Sequence, residues 1–118
     1  MYGIPSDIDW SFFVDTRVEQ ICIGKGNVQV HLFKDVSVSM CGDFDHLIGG
    51  KPLSDSPDVS VKATTLISLL EAKVEKVKAA PKELSLLFSN GEELIVYDSS
   101  EQYESFTVTY PGGATIVV

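Results

Sequence analysis

The sequence predicts an α+β domain, mainly antiparallel β, made of two pseudo-repeated helix-plus-three-strand meander units and a C-terminal hairpin. Three observations predict it. "RVEQI" at 17–21 returns as "KVEKV" at 73–77. Apolar and polar residues alternate through 27–33, 36–41, 83–89 and 92–98, the period-2 pattern of half-buried strands. Apolar residues make up 44% of 118 positions, which suits one packed core in a chain of single-domain length.

Displacing the chain by 56 residues lays 10–45 over 66–101 without a gap. Arg17/Lys73, Val18/Val74, Glu19/Glu75 and Ile21/Val77 coincide. Val28/Leu84, Val30/Leu86, Leu32/Phe88, Val38/Leu94 and Met40/Val96 follow in phase. A constant offset across three successive strands is hard to obtain from alternation alone, so we read an internal duplication spanning 6–45 and 62–101.

Each unit begins with a short helix. In "SDIDWSFFV" Ser6 is placed as an N-cap with Asp9 three residues on, a variant of the capping box. Trp10, Phe13 and Val14 sit at i, i+3 and i+4 and form one apolar face. In the second unit Thr64 or Thr65 is positioned to cap "LISLLEA", and Leu66, Leu69 and Leu70 repeat that spacing. Helices this short must be held by packing.

The strands follow at 18–23, 27–33 and 36–41, then at 74–79, 83–89 and 92–98. "IGKGN" supplies the first turn, because Gly24 and Gly26 tolerate positive φ. A two-residue Asn90-Gly91 turn would put Leu86 and Leu94 on opposite faces. A three-residue loop, Ser89-Asn90-Gly91, pairs them, and Phe33-Lys34-Asp35 likewise pairs Val30 with Val38. Pseudo-twofold packing would then let each meander bury the other's Val/Leu row.

Between the units, "GDFDHLIGGKPLSDSPDVS" is rich in Gly, Pro, Ser and Asp and reads as a long surface loop. The hairpin 103–118 lies outside the repeat. Its Phe106, Val108 and Tyr110 face should cover Leu87, Ile95 and Tyr97, which point away from the Leu84, Leu86, Leu94 and Val96 side. The matching His31, Ser39 and Cys41 face of the first meander should be wet. "TIVV" ends the chain as an apolar strand with no charge or proline to blunt its edge. It is expected either to lie inside the sheet or to pair across a homodimer.

The net charge is −8, from 17 acids and 9 bases. Residues 1–59 carry 9 acids and 4 bases, and residues 60–118 carry 8 and 5, so the acidity is not a tail. No Lys/Arg stripe exists to release counterions, which excludes a nucleic-acid partner. The start has neither a basic nor an apolar targeting segment, and no apolar run approaches the ~20 residues of a membrane span. A cytoplasmic domain is expected. The acidity either serves solubility or marks a surface that meets a basic partner.

Motifs for chemistry are sparse. Cys22 and Cys41 fall on the outer strands of a meander, roughly 10 Å apart at ~4.8 Å per strand, beyond the ~7 Å that a disulfide spans. Free thiols are expected. His31 shares their face, but zinc ligands normally come at tight spacings such as C-x₂-C. "GKGN" is not a phosphate loop: position 19 is Glu and position 26 is Gly, where the pattern needs Gly and Ser/Thr. With two His residues and no G-x-S-x-G or H-E-x-x-H, no catalytic residue, metal or cofactor is assigned and no enzyme activity is expected.

The strings "RVEQICIGKGNVQVHLF", "LSLLFSNGEELIVYDSS" and "YESF" resemble a family of small, single-domain bacterial proteins of unknown function. Gln20-Ile21-Cys22, Val28 to Phe33, Phe88, Gly91, Asp98-Ser99 and Tyr103-Glu104-Ser105 carry the likeness over nearly the whole chain. The resemblance implies a bacterial origin and a stand-alone chain. It implies no mechanism.

A binding role is the leading expectation, such as an immunity-type inhibitor of a basic partner. "GDFDH" and "DSSEQYES" place Asp43, Asp45, Asp98, Glu101 and Glu104 at equivalent ends of the units, and these are the candidate partner-binding residues. The alternatives are a structural or regulatory homo-oligomer, with a homodimer expected, and a metal-assisted enzyme using Asp43, Asp45 and His46.

Overall fold

The structure, a computed structural model, describes residue 4 and residues 7–41, 43–56, 58–98, 105–112 and 114–118. In chain order the strands are β1 (Val18–Gly24), β2 (Asn27–Leu32), β3 (Val36–Met40), β4 (Phe44–Ile48), β5 (Lys51–Pro52), β6 (Val74–Ala80), β7 (Glu83–Phe88), β8 (Glu92–Tyr97), β9 (Phe106–Tyr110) and β10 (Ala114–Val117). They form two five-stranded antiparallel sheets, ordered β1-β2-β3-β9-β10 and β5-β4-β8-β7-β6. One short helix, α1 (Val59–Thr64), runs into a 3₁₀ helix, Thr65–Leu69, and a second 3₁₀ helix spans Trp10–Phe13. The α+β, mostly antiparallel class therefore holds. Among the described residues, no helix is long and apolar enough to cross a membrane.

Both meanders occur where the alternation placed them. Val30 pairs with Val38 and Leu86 with Leu94, so both loops have three residues. Each loop turns through the left-handed region, at Gly91 (φ 87°) in one and at Lys34 and Asp35 (φ 67° and 62°) in the other. Register shifts fall between Val18 and Gln20 and between Val74 and Lys76. The Val/Leu rows point inward, with Val30, Val38, Leu86 and Leu94 wholly buried.

The helices differ from expectation. Ser6 lies outside the described residues, and Asp9 is itself the N-cap, accepting from the Ser11 amide at 3.0 Å. Trp10 and Phe13 are buried but Val14 is 36% exposed, because a helix with three residues per turn keeps i and i+3 on one face and loses i+4. Leu66 and Leu69 are likewise buried while Leu70 is exposed. Thr64 occupies the N-cap position of the Thr65–Leu69 helix, but its side chain makes no capping hydrogen bond. Both threonines lie where α1 runs into that helix, and the hydroxyls of Thr64 and Thr65 donate back to the carbonyls of Val61 (2.6 Å) and Lys62 (2.7 Å).

Two further expectations are corrected. The segment expected to be a surface loop forms the β4–β5 hairpin, which pairs with β8. Phe44 and His46 alternate into the core, and Gly49 and Gly50, at φ 58° and 80°, make the two-residue turn that a tight hairpin favours. The C-terminal hairpin does not cover Leu87, Ile95 and Tyr97. Instead β9 pairs with the free side of β3, Met40 opposite Phe106 and Val38 opposite Val108, and both Phe106 and Val108 are wholly buried. An unpaired strand edge needs a partner for its backbone groups, and β3 takes β9. The strand β10 is consequently at the edge of its sheet, not inside it.

The two sheets share one apolar core and are tied by backbone hydrogen bonds just ahead of β1 and β6. The amide of Asp15 donates to the Val74 carbonyl and that of Glu71 to the Val18 carbonyl, both at 2.8 Å. The Val18 amide donates to Ala72 (3.0 Å) and the Val74 amide to Thr16 (2.8 Å), with Arg17 opposite Lys73.

Candidate functional site

Three polar assemblies sit on this frame. The first is buried. His46, on the inward face of β4, and Glu92, the first residue of β8, are 2% and 6% exposed. Their side chains meet at 2.5 Å, Nε2 to Oε1. The other ring nitrogen of His46 contacts the Thr65 hydroxyl at 2.7 Å. Ser68 Oγ donates to Glu92 Oε1 and Asn90 Nδ2 to Glu92 Oε2, each at 2.5 Å, while Asn90 Oδ1 accepts from the Glu92 amide at 3.0 Å. The carboxylate thus gathers donors from three directions, as a buried charge requires. Burial lowers the His46 pKa below its ordinary 6.5, and the hydrogen bond and charge of Glu92 pull against that shift.

A histidine between a carboxylate and a hydroxyl is the composition of a proton relay. Here both ring nitrogens are occupied within the core, so neither is presented to a substrate. The exposed members of the cluster are Ser68 and Asn90. The neighbouring strand register explains why the cluster stands out. His46 lies opposite Leu94 in one sheet where Val108 lies opposite Val38 in the other. Ser68 and Glu92 likewise stand 56 residues beyond Phe12 and Val36.

The second assembly covers the outer face of β4, β8 and β7. Leu47, Glu93 and Leu87 form one cross-strand row; Asp45, Ile95 and Ser85 form the next; Tyr97 stands opposite Glu83. Tyr97 donates its hydroxyl to Asp45 Oδ2 at 2.8 Å, and its amide donates to the Asp43 carbonyl at 3.1 Å. Lys62 Nζ reaches Asp45 Oδ1 at 3.5 Å and donates to the Phe44 carbonyl at 2.9 Å. The Tyr97 phenol is pushed up to about 12, first by burial, then by its bond to Asp45 and the charges of Asp45, Glu83 and Glu93. Anions on three strands therefore act on one phenol.

Of the expected partner-binding residues, Asp43 is exposed and Asp45 is half-buried in this network. Asp98 is buried, 4% exposed, with Ser105 Oγ donating to it at 3.4 Å. Glu101 and Glu104 lie outside the described residues. Asp45 and His46 point to opposite faces of β4, as adjacent strand residues must. The proposed Asp43, Asp45 and His46 set does not converge, and no metal-binding trio forms among the described residues. Sequence reasoning missed Glu83, Glu92 and Glu93. Parity was the available signal, since Glu92 shares the inward phase of Leu94 and Val96.

The third assembly is a ladder on the outer face of β2 and β3. Asn27 Nδ2 donates to Ser39 Oγ (2.8 Å) and lies 3.4 Å from Cys41 Sγ. Gln29 Nε2 donates to Asn27 Oδ1 (3.0 Å), and His31 Nε2 meets Gln29 Oε1 at 2.9 Å. Cys22 and Cys41 are free thiols, as expected.

These features define a two-sheet α+β domain with one buried ionic cluster and one acidic outer face. Comparison with protein-family models, curated proteins and solved structures finds no match.

Proposed function

We propose that this chain is a non-catalytic protein-binding module that takes a cationic partner on the outer face of β4, β8 and β7. The supporting observation is the clustering of Asp45, Glu83 and Glu93 around Tyr97, whose phenol is held at about 12. Apolar Leu47, Leu87 and Ile95 lie among these charges, and an aromatic and apolar centre with a charged rim is the anatomy of a binding patch. An immunity-type inhibitor of a basic toxin domain is the form that best uses such a face. In this reading the His46–Glu92 cluster is structural.

The duplication belongs to the same proposal. The limits of β6 and β7 stand 56 residues beyond those of β1 and β2, as do the two register shifts. The four hydrogen bonds between 15–18 and 71–74 exchange under that offset. Each meander also receives its fourth strand from the other half, β9 on β3 and β4 on β8. A pseudo-twofold axis between Arg17 and Lys73 accounts for all of this.

The test is capture of partners from a bacterial lysate by wild type and by a D45N/E83Q/E93Q variant, with association measured against salt. Steered binding should slow steeply as ionic strength rises. Equal capture by both proteins would end the acidic-face reading.

A further inference from the structure

The Val118 amide donates to the Phe106 carbonyl at 2.9 Å, and the Phe106 amide donates back at 3.3 Å. Residues 118 and 106 therefore form a hydrogen-bonded pair. In an antiparallel ladder such pairs alternate with non-bonded ones. Ala114, opposite Tyr110, and Ile116, opposite Val108, thus turn their backbone groups toward β9, while Thr115 and Val117 turn theirs away. Among the described residues, no strand lies on that side.

The three other sheet edges are blunted by the usual devices. The strand β5 is two residues long and contains Lys51 and Pro52. The edge strand β6 carries Glu75, Lys76 and Lys78, and β1 carries Glu19. The edge β10 has none of these, and no charged residue occurs anywhere from Ser105 to Val118. For a chain of net charge −8, this is an edge strand that brings no charged side chain of its own against a second copy.

We infer that two copies of this chain pair through β10, antiparallel, with the twofold axis at Ile116. In that register Thr115 of each copy exchanges both backbone hydrogen bonds with Val117 of the other, so the outward groups satisfy one another. On the outer face Thr115 lies beside Val117 of the second copy. On the core face the two Ile116 side chains meet and join the apolar cores. The contact is isologous and closes with two copies. Both ends of the joined sheet are then β1, whose edge is charged. The inference is independent of the acidic-face reading, because that face lies on the other sheet.

The test is sedimentation of the full chain over a concentration series, with amide exchange followed at Thr115 and Val117. The expected result is twice the mass of one chain, with those two amides protected at high concentration and exchanging freely on dilution. Thr115→Pro removes an outward donor without touching the pairing to β9, so it should give a folded monomer with an unchanged circular dichroism spectrum. Val117→Lys, which places a charge at the contact, should do the same and serves if the proline variant fails to fold. A wild-type monomer at high concentration would overturn the inference. So would a dimer whose Thr115 and Val117 amides exchange freely, or one that survives both substitutions.

Discussion

Replacing Glu92 by Val tests whether the buried cluster holds the second sheet to its 3₁₀ helix. Glu92 begins β8, and a β-branched Val suits a buried strand position. The substitution removes the acceptor that His46, Ser68 and Asn90 share. Ser68 keeps the Thr65 carbonyl at 2.9 Å and Asn90 keeps the Ser68 carbonyl at 3.2 Å. His46 Nε2 keeps nothing, in a side chain 1% exposed. Burial keeps the folded imidazole neutral above pH 6.5, so the variant leaves a buried N–H unpaired, which costs about 1–3 kcal/mol, against a total stability of about 5–15 kcal/mol. With a urea slope of about 1–3 kcal/mol per molar, the unfolding midpoint should fall by about 1 M. His46→Val combined with Glu92→Val copies the Val108 and Val36 of the first sheet and should recover most of the loss. A double-mutant cycle then gives a coupling of about 2 kcal/mol or more. A single-variant loss below about 1 kcal/mol, or strict additivity, would refute the argument.

Other outcomes follow from the same geometry. Burial holds the folded His46 pKa below 6.5, so the folded state binds fewer protons than the unfolded chain in the window just below that value. Stability should therefore be full above pH 6.5 and decline on acidification, and His46→Val should flatten this slope in pH-dependent urea titrations. Asp45→Asn removes an acceptor and a charge from Tyr97, so a spectrophotometric titration should show its phenol falling from about 12 toward, but not to, 10, because burial remains. Gly91→Ala forces a side chain into φ 87° where no atom lies within 4 Å; the cost is backbone strain of about 1–2 kcal/mol, read as a lower thermal midpoint.

Strands were readable from the sequence to within a residue or so because period 2 and a buried face leave little freedom. Val30, Val38, Leu86 and Leu94 could share one side only with three-residue loops, and they do. The placement of the fourth strand in each sheet was not readable. Phe44 and His46 give only two inward positions among Gly, Pro, Ser and Asp, which is too short a run to separate strand from loop. Its existence depends on the long-range partner β8. The same holds for β9, whose alternation was evident but whose choice of β3 over the outer face of β7 and β8 is decided by unpaired backbone, not by side-chain pattern. Helix type was lost for a local reason. Trp10 and Phe13 at i, i+3 fit both helix types, and only the exposure of Val14 separates them.

Candidate chemistry lies where the two sheets differ. Around one sheet stand Phe12, Val36 and Val108, and around the other Ser68, Glu92 and His46, with Val108 opposite Val38 and His46 opposite Leu94. Apolar packing needs no particular partner, so Phe12 stacks on Tyr110 at 5.0 Å between centroids and tolerates repacking. A buried carboxylate tolerates nothing of the kind, since each lost donor leaves a charge uncompensated. The second half therefore holds Thr65, Ser68, Asn90 and β4 in one arrangement. That arrangement fixes β4, and β4 carries Asp45 on its opposite face beside Tyr97. If the acidic face binds, the cluster beneath it is what keeps its carboxylates in register. Glu92→Val should then weaken capture of a cationic partner at temperatures where the variant remains folded, while the His46→Val/Glu92→Val pair restores it. Undiminished capture by folded Glu92→Val would separate the two assemblies and leave the cluster a purely local device.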